Sequence, residues 1–112
     1  MKRIITFVLI MSTYTCQRAI HPGEILKEEV EYRGIKQTML AEQMDLSYKM
    51  LNDILNCRRP LTATTALLFE AALGVNAGLL MRMQLDYNMQ TTQQDKSFIQ
   101  RLEKIKRIAA VF

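Results

Sequence analysis

Within seven positions the chain gathers a hydroxyl, a phenol, an ammonium, a thioether, a carboxamide and a carboxylate, on Ser47, Tyr48, Lys49, Met50, Asn52 and Asp53. These are side chains that can read the edges of nucleic-acid bases. An ammonium suits the acceptors of guanine, a carboxamide pairs with adenine, and a carboxylate accepts from the amino group of cytosine. Other chemistries lack their parts. His21 has no Ser, Cys or carboxylate at a spacing that would make it a catalytic base. Cys16 and Cys57, with one histidine in the chain, are too few for a zinc site or a disulfide framework. No catalytic residue, metal ligand or cofactor is therefore expected. The eight methionines fall mainly at core spacing or in the N-terminal apolar run, and they read as packing.

Holding six such residues toward one groove requires a rigid element behind them. Residues 47–56 have the period of a short helix, with Leu51 and Ile54 on its inner face. A preceding helix over residues 37–44 leaves only Asp45 and Leu46 between the two, a spacing that permits nothing but a tight turn. Ala41 is small enough for the second helix to cross the first closely, and Asp45 tolerates left-handed geometry. The arrangement is a helix-turn-helix, with the six polar and adaptable side chains outward, where they can enter a major groove.

Further elements complete a small helical body. A first helix begins at Pro22, carries Ile25, Leu26 and Val30, and stops at Gly34, with Glu24 favouring its dipole. A fourth runs from Thr62 as N-cap to Gly74, and a fifth opens at Asn76 with Leu79, Leu80, Met83 and Tyr87. After the polar residues 90–94, Phe98, Leu102, Ile105, Ala109 and Phe112 recur in steps of four, three, four and three. That seam needs a surface to pack on, whether in the same subunit, in a second copy or in a partner. Lys104, Lys106 and Arg107 flank it and read as its solvated face.

Composition agrees with one globular unit and appendages, since 49% of the residues are hydrophobic and 23% charged. The net charge of +4 is unevenly spread: residues 1–20 carry +3, residues 21–75 carry −2 and residues 76–112 carry +3. A basic total by itself is no argument for DNA. Lys2 and Arg3 ahead of an apolar run from Ile4 to Met11 have the form of a short signal peptide with Cys16 as a lipoprotein-like acceptor. Tyr14 spoils the cleavage context and Met11 offers a second start. The segment reads instead as a non-signal extension, a strand or a start-site artefact, and the protein as cytoplasmic, with no membrane partner. The domain plan is residues 1–19 as extension, 20–89 as helix-turn-helix domain and 90–112 as a C-terminal amphipathic helix.

His21-Pro22-Gly23-Glu24-Ile25-Leu26, then Leu40-Ala41-Glu42, then Ile54-Leu55-Asn56 before Arg58-Arg59-Pro60-Leu61-Thr62, with Gln84 after a short helix, follow one another in order without gaps. Over residues 20–89 the chain resembles the HigA-type antitoxin branch of the XRE helix-turn-helix family. The resemblance implies an all-α, five-helix fold like Cro and the phage repressors, here with an extra C-terminal helix. It also implies binding as a homodimer to a double-stranded palindromic operator, autorepression, and neutralisation of a RelE-like messenger-RNA ribonuclease, the HigB-type toxin. By position, Ser47, Tyr48, Lys49, Met50 and Asp53 would approach bases, while Gln37, Arg58 and Arg59 would hold phosphates, which set register rather than sequence.

The sequence departs from the family pattern at several points. Asp45 and Cys57 stand where glycine is usual, and a left-handed backbone is costlier for Cys57. Leu80 stands where tryptophan is common and Leu68 where arginine is frequent. Leu68, Leu80, Phe98, Leu102, Ile105 and Phe112 are accordingly the candidates for contact with a second subunit or a partner. Two alternative functions remain at this stage: a stand-alone XRE-type regulator without a toxin, and a protein-interaction module that has given up DNA, suggested by the acidic balance of residues 21–75 and by Asp53.

Overall fold

The computed structural model describes residues 18–111, so that expectations for residues 1–17 and for Phe112 lie outside the described residues. Six helices follow one another: α1 (Pro22–Tyr32), α2 (Gln37–Gln43), α3 (Tyr48–Leu55), α4 (Ala63–Leu73), α5 (Ala77–Gln93) and α6 (Lys96–Ala109). No strand occurs among the described residues, in keeping with the all-helical expectation.

Side chains mark the starts of the helices other than α2, ahead of which Lys36 makes no such bond. Ser47, Thr62 and Asn76 accept from backbone N–H groups in the first turns of α3, α4 and α5, and Asp95 does the same for α6. Glu70 adds a second anchor at the start of α5, accepting from the Ala77 N–H at 2.8 Å. The ends are equally local. Helices α1, α2 and α3 close with one motif, in which Ile35, Leu46 and Arg58 donate back to the carbonyls of Val30, Ala41 and Asp53. Gly34, Asp45 and Cys57 occupy the left-handed position of these three stops, with φ of 66°, 55° and 62°. The backbone thus adopts at Cys57 the left-handed turn for which the resemblance leads one to expect a glycine.

Leu26 and Val30 of α1, Leu40 and Ala41 of α2, Leu51, Ile54 and Leu55 of α3, Phe69 of α4 and Leu80 of α5 meet in one core. α1 crosses closely over the end of α3. A Cβ on Gly23 would run into the Ile54 carbonyl oxygen, so only glycine permits this approach. A smaller cluster of Ile25 and Met83, with Ala19 and Ile20 against it, seals α1 to α5.

Leu80 is completely buried, which corrects its assignment as a contact residue: it fills the core beneath α4 and has no surface to offer a partner. Helix α5 also runs straight through the polar residues 90–94 as far as Gln93, because every one of its last residues can keep the helical ladder whatever its polarity. α6 then packs against α5 and buries none of its residues. The described residues span 57 × 30 × 20 Å with a radius of gyration of 17.1 Å. A compact chain of this length would have about 12–13 Å, so the molecule is elongated.

Candidate nucleic-acid interface

Helix α3 rests on the core through Leu51, Ile54 and Leu55 and turns its opposite side outward. Ser47, Tyr48 and Lys49 at its N-terminal end are exposed. The Ser47 hydroxyl accepts from the Met50 N–H at 3.1 Å, so it is both helix cap and surface group. Met50 itself is half-buried and packs against the core, which withdraws it from the outward set.

The next turn of α3 is knit into a polar network rather than left open. The Asn52 amide donates to Gln37 Oε1 at 2.9 Å, and its Oδ1 accepts from the Arg58 guanidinium at 2.8 Å. Asn52 therefore ties α2 to the segment after α3, and turning its amide toward an adenine would compete with these two bonds. Gln37 stands at the start of α2, with its Oε1 taken by Asn52.

Asp53 accepts from Lys49 Nζ at 3.2 Å and from Arg58 Nε at 3.1 Å, with an Arg59 nitrogen at 4.0 Å. Its side chain is only 14% exposed. The hydrogen bonds from Lys49 and Arg58 hold its carboxyl below the usual carboxylate range. The acid thus does not confront a DNA backbone as a bare charge; it collects Lys49, Arg58 and Arg59 on one edge of α3. Lys27 of α1 approaches the same end of the helix, donating to Asn56 Oδ1 at 3.0 Å.

His21 supports this edge from behind. Its Nδ1 accepts from the Gly23 N–H at 2.9 Å, capping α1, and its ring lies edge-on to Tyr87 of α5 with centroids 5.0 Å apart. Burial lowers its pKa, against a hydrogen bond to the Arg59 carbonyl and the charge of Glu24. Gln84, buried in α5, accepts from the Leu61 N–H at 2.8 Å and donates to Asn88 at 2.8 Å. A depression of about 200 Å³ opens between these groups and the two arginines. Neither His21 nor Gln84 was singled out by the spacing of residues as part of a site, because the partners that give them a role are distant in sequence. Cys57 sits at the rim of the same depression, its thiol pushed up by burial.

The remaining contact candidates separate by exposure. Leu68 is half-buried and lines a shallow groove of about 320 Å³ with Gln43, Met44, Ala71 and Ala72. It is Leu67, 58% exposed, that stands out of the run Leu67-Leu68-Phe69. On α6, Phe98 and Leu102 are half-buried and Ile105 is exposed. Leu85 and Met89 on the outer side of α5 are exposed as well.

Comparison with known proteins accords with this geometry. No protein-family model matches the chain. Virulence-associated protein I of Dichelobacter nodosus is 38% identical over 82 residues, which are 72% of this chain and 76% of that protein. An addiction module antidote protein of a HigA family from Coxiella burnetii superposes with a TM-score of 0.66 at 30% identity, over 79% of this chain and 95% of that one. Pseudomonas aeruginosa antitoxin HigA, solved with the higBA promoter, superposes with a TM-score of 0.64 at 31% identity, over 69% of this chain and 85% of that one. With a fold that superposes on these proteins at 30% identity or more and relatives matched over most of their length, the chain belongs to the HigA family of helix-turn-helix antidote proteins.

Proposed function

We propose that this protein is a sequence-specific DNA-binding repressor that acts on its own operon and serves as the antitoxin to a RelE-like ribonuclease. One observation carries the reading: α3 stands on the core with Ser47, Tyr48 and Lys49 exposed, bordered by Gln37, Arg58 and Arg59. Lys49, Ser47 and Tyr48 would meet base edges and the border would meet phosphates. A homodimer would set two such helices one turn of DNA apart, about 34 Å, on a two-fold operator. The open stripe of α6 and the exposed Leu85 and Met89 are the apolar surface available for that second copy or for the toxin. The acidity of residues 21–75 does not favour a role without DNA, because Asp53 is already engaged by the cations around it. This is a binding protein that works in the compartment of its DNA.

The test is a titration of the protein against its own upstream DNA at two salt concentrations, with unrelated DNA of equal length as competitor. Tight, salt-sensitive and selective binding is expected. No preference at either salt would refute the repressor reading. An adjacent reading frame for a small basic ribonuclease, whose product co-purifies with this chain, is the expectation for the toxin.

A further inference from the structure

Gln37, Asn52 and Arg58 form one chain of hydrogen bonds, and its polarity follows from its last member. A guanidinium has only donors, so the Asn52 atom that faces Arg58 at 2.8 Å is the carboxamide oxygen. The other end of that carboxamide is then the NH2 group. It donates at 2.9 Å to Gln37, whose facing atom must be Oε1. Each amide is thus oriented by its neighbour, and both ends of the chain keep N–H groups. At one end is the NH2 of Gln37. At the other, Asp53 takes the Nε hydrogen of Arg58 and Asn52 takes one from Nη2, which fills one edge of the guanidinium. The fork of Nη1 and Nη2 is left, the shape that grips a phosphate through two parallel bonds. The Arg58 side chain is 58% exposed, so this fork is open to a ligand.

We propose that Asn52 is a positioning residue for phosphate recognition rather than a reader of bases: its carboxamide holds Gln37 and Arg58 a fixed span apart, with N–H donors of both left for the DNA backbone. The inference rests on the DNA-binding reading above. A bidentate contact with adenine calls on the same NH2 and oxygen and competes with both bonds. Side chains held in advance need no ordering when DNA arrives, and each one left loose costs about two- to tenfold in affinity.

The experiment is a double-mutant cycle in DNA binding. Wild type, Asn52→Ala, Gln37→Ala and the double variant are titrated with the upstream DNA and with unrelated DNA of equal length, over a range of salt. The bond from the Asn56 amide to the Asn52 backbone carbonyl, at 2.8 Å, survives the substitution, and circular dichroism reports the fold. Asn52→Ala is expected to weaken binding to both DNAs by one factor, about three- to tenfold. The salt slope should stay as it was, since no cation is lost. In the Asn52→Ala background, Gln37→Ala should cost less than in the wild type, the mark of two residues that act together. A reader of adenine behaves otherwise: binding to the upstream DNA alone weakens, by about five- to hundredfold, and the two substitutions add. Either result overturns the inference. So does full affinity in Asn52→Ala, the outcome for a bond that serves only the fold. A wild type with no preference for its upstream DNA overturns the DNA reading and this inference with it. Should Asn52→Ala not fold, NMR of the wild-type complex decides: an Asn52 NH2 still in contact with Gln37 supports the inference, and one in contact with an adenine refutes it.

Discussion

Helix α3 buries Leu51, Ile54 and Leu55 and ties its polar side chains to one another, whereas α6, built on an equally regular apolar stripe, buries none of its residues. The cause is placement. α3 lies against both α1 and α2, and Gly23 lets α1 come within backbone contact of it. α6 follows a long α5 that carries it away from the body, so its stripe passes from half-covered at Phe98 and Leu102 to open at Ile105 and Ala109. Periodicity announces that a helix has a face to cover. Only the rest of the fold decides whether the cover comes from the same chain.

Gly23→Ala should strike hardest, because its Cβ collides with backbone rather than with a yielding side chain. A loss of about 3 kcal/mol or more in urea unfolding is expected. Near-normal stability would mean that the α1–α3 crossing is looser than its geometry. On the outward side of α3, Lys49→Ala should weaken operator binding by ~1–3 kcal/mol with little change on unrelated DNA. Arg59→Ala, in contrast, should weaken binding to all sequences and lower the salt slope by about 0.9. Unchanged operator discrimination in Lys49→Ala would remove Lys49 from the reading set.

At the end of α3, Cys57→Gly should raise stability by about 0.5–1 kcal/mol, the left-handed cost of an L-residue less the entropy of glycine. A drop in melting temperature would instead show that the half-buried sulfur contributes more than the turn costs. Ile105→Glu on α6 should change the unfolding free energy of dilute protein by no more than about 0.5 kcal/mol. Its effect belongs to sedimentation at higher concentration, where self-association should fall. A variant that unfolds at every concentration would place the stripe in the core and erase the contrast with α3.

The helix limits were legible because their signals are local. Pro22, Gly34, Thr62, Gly74 and Asn76 act on backbone groups within a turn of themselves, and the structure uses each where the sequence placed it. The domain boundary placed before residue 90 falls instead inside α5, which runs on to Gln93, because a polar residue breaks no helix unless it competes for the backbone. Within the site, the outward position of Ser47, Tyr48 and Lys49 follows from the period of α3. The bonds of Asn52 to Gln37 and Arg58, the inward turn of Met50 and the burial of Leu80 do not, because each depends on a neighbour fixed only by tertiary packing.

Asp53 makes of the three cations near it a surface that carries its own counterion. A mobile anion bound there would diffuse away when DNA arrives and add its entropy to any sequence alike. A tethered one cannot leave, so on the proposed reading a phosphate that reached Arg58 or Arg59 would compete with a carboxylate that remains close by. On that reading the free protein would adhere less to nucleic acid in general, and contacts that exist only on the right sequence would decide where it settles.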